Sequence, residues 1–193
     1  EILVVPRSSC RALYIPTSYA GNKLYGPFHV YEDSQYRCWQ SALFLKLPGL
    51  TFKTHPKSLS IPPPGIAVEG RQLEDCIGDY DLLVIDYFAT GAMLALISDK
   101  PVIYFDIGLR RLQSEFEHDV KNRCEYARIE MSDQLDDQIE AALERFWSVA
   151  EPQDNTTMAR YSICDQSDCG WRIGFQLFSG RKALSMRDSY VEK

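Results

Sequence analysis

The sequence predicts an α/β domain of three layers, a parallel sheet with helices on both faces, and three observations carry that prediction. Short apolar runs of strand length alternate with segments of helical period from Ala12 to Trp147. The run Asp81-Leu82-Leu83-Val84-Ile85-Asp86 is apolar without alternation, as in a strand covered on both faces. Short turns join the runs, which requires right-handed crossovers between parallel strands.

Taken in order, Ile2 to Val5 is a short apolar lead and Ala12 to Pro16 the first strand. Thr17 to Gly26 supplies the Gly, Asn and Ser of a loop. A helix follows, capped by Asp33 or Ser34, with Tyr36, Trp39, Gln40, Leu43 and Leu47 at three- and four-residue spacing on one face. Pro48-Gly49 ends it. Leu50 to His55 is the second strand, and Ile61-Pro62-Pro63-Pro64-Gly65 is a loop because proline lacks the amide donor that regular structure needs. Ile66 to Glu69 is a third short strand, Leu73 to Ile77 a short helix, and Asp81 to Asp86 the fourth strand. A helix through Met93 to Ile97 leads to strand Pro101 to Phe105 and then to a charged amphipathic helix from about Arg110 to Arg123. Strand Tyr126 to Ile129 and a helix from about Asp133 to Trp147, capped by Ser132, complete the alternation. From Glu151 onward no period is clean, so residues 1–150 read as the domain and 151–193 as an extension packed on it.

Composition bounds the function. A chain of 193 residues with 45% hydrophobic content buries a core of its own. Its net charge of -6 is dispersed and no basic stripe appears, which argues against a nucleic acid partner. The six cysteines are scattered and several lie in apolar segments, as in a reducing compartment, so a cytoplasmic location is expected. The spacing of Cys164 and Cys169 lacks the second ligand pair of a zinc site, and no metal site is expected. The Asn155-Thr156-Thr157 triplet is set aside on the same compartment argument. No apolar run reaches membrane-span length, and the start at Glu1 is neither Met nor a signal peptide, so the chain reads as a piece of a longer protein.

In an open parallel sheet a ligand sits beyond the carboxyl ends of the strands, and three segments fall there. The most informative is Asp86-Tyr87-Phe88-Ala89-Thr90-Gly91, where a buried strand passes through a turn of small residues into a helix. The amides of Ala89, Thr90 and Gly91 at a positive helix end, with the Thr90 hydroxyl, suit a diphosphate. The plainer reading is that Thr90 caps the helix and Asp86 ties down the turn. In Thr54-His55-Pro56-Lys57 the proline fixes a turn that sets an imidazole and an ammonium over the same pocket. His55 would be a hydrogen-bond donor to the leaving group and Lys57 a counter-charge. In Asp106 to Arg111, Arg110 and Arg111 are candidate phosphate clamps or a solvated helix start. His29 and His118 form no metal-ligand spacing. The absence of G-x-G-x-x-G, P-loop, G-x-S-x-G and H-E-x-x-H patterns argues against dehydrogenase, NTPase, α/β-hydrolase and zinc protease chemistry.

The order of His55-Pro56-Lys57, Leu73 with Asp75, Asp81 to Tyr87 with Thr90, and Lys100-Pro101-Val102-Ile103 resembles the C-terminal, Rossmann-like domain of GT-B glycosyltransferases. It is similar in particular to CDP-glycerol glycerophosphotransferases and surface-carbohydrate biosynthesis transferases, over residues 11–150. The resemblance implies a CDP-, UDP- or CMP-linked donor as substrate, no tightly bound cofactor or metal, and His55 and Thr90 on the donor phosphate. It also implies an acceptor held by a separate N-terminal domain, a position peripheral to the inner membrane, and no turnover by this half alone. Phe88 and Ala89 stand where such relatives usually carry hydroxyl residues, which removes one phosphate contact. Two alternatives share the architecture: a nucleotide-sugar 2-epimerase, and a non-catalytic module kept for protein contacts.

Overall fold

A computed structural model describes residues 6–17, 31–55, 62–148, 153, 156–159 and 161. The apolar lead at Ile2 to Val5 and most of the extension after Glu151 lie outside these residues. Six parallel strands form one open sheet: β1 (Ala12–Ile15), β2 (Thr51–Lys53), β3 (Val68–Glu69), β4 (Leu82–Ile85), β5 (Val102–Asp106) and β6 (Glu125–Arg128), in the order β3-β2-β1-β4-β5-β6. The helices are α1 (Asp33–Lys46), α2 (Leu73–Cys76), α3 (Thr90–Ile97), α4 (Ser114–Arg123), α5 (Leu135–Ser148) and the short α6 (Thr156–Ala159). The chain is a three-layer α/β domain of Rossmann-like type.

Strand alternation divides the core in two. Ala12, Tyr14, Leu82, Val84, Ile103 and Phe105 pack with α1 and α5 on one face. Leu13, Leu83, Ile85, Val102 and Tyr104 point the other way, against α2, α3, α4 and α6. All of β4 and β5 is buried, as their unbroken apolar runs require. The register aligns Tyr14 with Val84 and Ile15 with Ile85, so the ends of β1 and β4 lie side by side.

Several boundaries differ from the sequence reading, and four of the differences bear on the site or its frame. The cap of α1 is Glu32, whose backbone N–H donates to Gln35 Oε1 at 3.0 Å, rather than Asp33 or Ser34. β3 is confined to Val68–Glu69 because only these residues continue the ladder from β2. Thr90 is the first residue of α3, not its cap. α4 starts at Ser114, which leaves Arg110 and Arg111 in the connection from β5. α5 starts at Leu135 rather than at about Asp133, so Ser132 precedes it without being its cap, and its Oγ accepts from the Gln134 N–H at 3.3 Å in the turn before the helix. Gly49 at φ 89 closes α1, a conformation glycine adopts without strain.

A buried arginine ties the far face together. Arg123 is fully buried. It donates to the carbonyls of Leu96 (2.6 Å), Ser98 (3.0 Å) and Lys100 (2.8 Å), which satisfies acceptors left open at the end of α3. It also reaches Gln153 Oε1 at 2.9 Å, and Gln153 in turn exchanges bonds with both backbone groups of Val102. That bridge leads the chain to α6, where Met158 is buried in the same core. Among the described residues no helix is long and apolar enough to cross a membrane.

Candidate functional site

The strand order changes direction between β1 and β4, and their connections leave on opposite faces: α1 packs on one side and α3 on the other. Such a switch point opens a crevice beyond the carboxyl ends of the two strands.

The root of that crevice is a closed polar network around Asp86, which is 1% exposed. Its Oδ1 accepts the Thr17 N–H at 2.9 Å. Its Oδ2 accepts from the Tyr14 hydroxyl, from the Tyr36 hydroxyl at 2.7 Å and from Trp39 Nε1 at 3.1 Å. The donors come from two elements. Tyr14 points off β1 onto the α1 face, and Tyr36 and Trp39 are one helical turn apart on α1. Gln40, a further position along, reaches Tyr14 Oη at 3.5 Å. Burial pushes the Asp86 carboxyl above its usual range, although all of these donors pull it down. Burial, and then the adjacent carboxylate, drive the Tyr14 and Tyr36 hydroxyls well above theirs. Asp86 was expected among the ligand contacts; instead its carboxylate is consumed in tying the end of β4 to β1 and α1. The sequence offered Tyr36, Trp39 and Gln40 as apolar bulk, and their polar atoms meet Asp86 only because α1 crosses the strand ends.

Above this floor lies the amino end of α3. The cap residue Ala89 is extended (φ -145, ψ -166) and brings no side-chain hydrogen bond to the first turn. Thr90 is exposed and Ala89 and Gly91 are half-buried. Gly91 is held close to β1: a Cβ there would stand 3.1 Å from Ile15 Cγ2 and 3.6 Å from Leu73 Cδ2. Phe88 turns inward, edge-on to Phe116 at 4.9 Å, which anchors the turn before the helix. Its carbonyl accepts from Arg110 Nη1 at 2.9 Å, and the Arg110 guanidinium lies 5.9 Å from the Tyr87 ring centroid. Thr17, at the end of β1, keeps a buried hydroxyl oxygen with no hydrogen-bond partner among the described residues.

The remaining candidates are dispersed. His55 is exposed just past the end of β2, one strand from the crevice, and Lys57 lies outside the described residues. His118 is on the exposed side of α4, 3.0 Å from Asn122 Nδ2, and His29, Cys164 and Cys169 are outside the described residues. Among the described residues no group of three or more His, Cys, Asp or Glu side chains is arranged to hold a metal ion. Ala89, Thr90, Gly91 and Arg110 are therefore the sequence candidates that the fold brings together. Arg110 arrives by way of the loop after β5 rather than as a helix start. No protein-family model matches the chain, and no curated protein or solved structure matches it significantly.

Proposed function

We propose that this domain binds the phosphate or diphosphate of a CDP-, UDP- or CMP-linked donor and serves as the donor half of a glycosyltransferase or glycerophosphotransferase that builds cell-surface polysaccharide. The observation that carries the reading is the α3 amino end. It stands beside the switch point, lacks a capping side chain, and has the Arg110 guanidinium tethered to the carbonyl of Phe88 next to it. Backbone amides at a positive helix end and a guanidinium are the groups that stabilise charge on a departing nucleoside mono- or diphosphate without a metal ion. The buried Thr17 hydroxyl supplies a further group at the β1 end for a ligand to engage. Asp86 serves this site as its floor: the network holds β1, β4 and α1 in fixed relation under the ligand.

In this reading the acceptor belongs to a separate domain and the protein works at the cytoplasmic side of the membrane. His55, one strand away, approaches the donor from the β2 side as hydrogen-bond donor to the leaving group, with Lys57 beside it in sequence. Calorimetric titration with CDP, UDP and CMP tests the reading. Saturable binding of at least one is expected, weakened about 5- to 20-fold in Thr90→Ala or Arg110→Ala, the worth of one neutral or one charged hydrogen bond. Absence of heat with all three nucleotides overturns it.

A further inference from the structure

A second concavity opens along the same carboxyl edge of the sheet, beyond β5 and β6. It is a cleft of about 450 Å³, within the range of small-molecule sites. Four cations line it, Arg110, Arg111, Lys121 and Arg128, against two carboxylates, Asp106 and Glu117, on a chain whose net charge is -6.

Both carboxylates are answered inside the cleft. Asp106 Oδ2 accepts from the Tyr126 hydroxyl and from Arg128 Nη1, each at 2.5 Å, and its Oδ1 accepts the Gly108 N–H at 2.9 Å. Glu117 Oε1 takes Lys121 Nζ at 2.6 Å, one helical turn away on α4, and the same ammonium lies 4.8 Å from the Tyr126 ring centroid. Cationic charge therefore exceeds anionic charge at the mouth.

The floor is shaped for this arrangement. Gly108 has φ +83, a turn that favours glycine, and a Cβ there would stand 3.1 Å from Arg128 Nη2 and push the guanidinium aside by a few tenths of an ångström. Tyr31 fixes the same loop, its hydroxyl donating to the Ile107 carbonyl at 2.5 Å. Arg128 is 59% exposed on its side chain and Lys121 48%, so both present donors to solvent while held by their partners.

We propose that this cleft is a second anion site, for the phosphate group of a small molecule, adjoining the α3 amino end through Arg110 but built on Arg111, Lys121 and Arg128. A tetrahedral dianion suits several converging N–H donors better than a single carboxylate does. The proposal rests on Arg111, Lys121 and Arg128, which the nucleotide reading does not use, and Arg110 alone borders both sites.

The test follows backbone amide shifts of the full chain by NMR during titration with inorganic phosphate and, in a parallel arm, with glucose 6-phosphate. Saturable shifts at Gly108, Arg111 and Lys121 with either probe support the site, and the tighter probe tells free phosphate from a phosphomonoester. The double variant Arg111→Gln/Lys121→Gln, which leaves two cations against two carboxylates, is expected to bind about tenfold more weakly with an unchanged urea midpoint. Glu117→Gln, which removes an anion, is expected to bind more tightly. Shifts confined to Thr90 to Ala92, no saturation with either probe, or affinity within twofold of wild type in the double variant overturns the proposal. A nucleotide titration read at Thr90 and Gly91 reports on the other site independently.

Discussion

Replacing Asp86 by alanine tests whether the network under the switch point holds the domain together. The carboxylate accepts from Tyr14, Tyr36, Trp39 and the Thr17 amide. In the alanine variant the two tyrosine hydroxyls, 3.3 Å apart, still serve each other, and Trp39 Nε1 retains its 3.3 Å approach to Tyr14 Oη. The Thr17 N–H loses its acceptor outright and the indole loses its better one. Each buried donor orphaned in this way costs about 1–3 kcal/mol. Against that stands relief of the carboxylate's desolvation, the largest influence on its raised pKa. The net expected loss is about 2–4 kcal/mol, a large share of a typical domain stability of about 5–15 kcal/mol.

Equilibrium urea unfolding followed by circular dichroism measures it. With a slope of about 2 kcal/mol/M, the midpoint should fall by about 1–2 M. Asp86→Asn should cost less, about 1–2 kcal/mol: its oxygen can face the three side-chain donors, but its NH₂ then opposes the Thr17 N–H. The pH dependence has a definite sign. A raised folded pKa means that the contribution of Asp86 is fully present below the ordinary carboxylate pKa and is lost as pH rises through the folded value, so the wild-type advantage over Asp86→Asn narrows in that direction. A loss under about 0.5 kcal/mol in Asp86→Ala would refute the reasoning, because it would mean that the four donors find equal partners without the carboxylate.

Two further perturbations probe the rest of the frame. Arg123→Met keeps the buried stem but strips the carbonyls of Leu96, Ser98 and Lys100 of their donor, with an expected loss of about 3–5 kcal/mol in the same urea assay; a loss below about 1 kcal/mol would show that the α3 end is satisfied otherwise. Glu69, held down to about 2 by hydrogen bonds from Arg71, contributes stability that is present above its ordinary value of 4.5 and is lost as pH falls toward 2. Glu69→Gln should flatten that acid limb of the melting-temperature profile, modestly and less so at high salt, since Arg71 is half-exposed.

Apolar runs of strand length placed all six strands, most sharply the central ones, because burial of a parallel strand on both faces leaves a one-dimensional mark that needs no partner to be recognised. Leu82 to Ile85 is the clearest case. The amino end of α3 was also legible, since a strand passing through small residues into a helix fixes Thr90 and Gly91 at a strand's carboxyl end whatever the neighbouring strands are. The start of α4 was not: charge and period run continuously through Arg110 and Arg111, whereas in the fold Arg110 seats on the Phe88 carbonyl and the helix begins at Ser114 after an extended Gln113.

By itself, then, the chain determined its strands, its layers and the turn that opens α3, since those depend on local period and local backbone chemistry. Which strands became neighbours, and so what Asp86 faces, was decided only in three dimensions. The order β3-β2-β1-β4-β5-β6 brings residue 86 against residues 14, 17, 36 and 39, and no pattern of adjacent residues encodes a meeting of side chains separated by up to 72 positions. The same holds for the cleft where Asp106, Lys121 and Arg128 converge: each is ordinary on its own element, and their shared field exists because β5 pairs with β6 and α4 crosses over them.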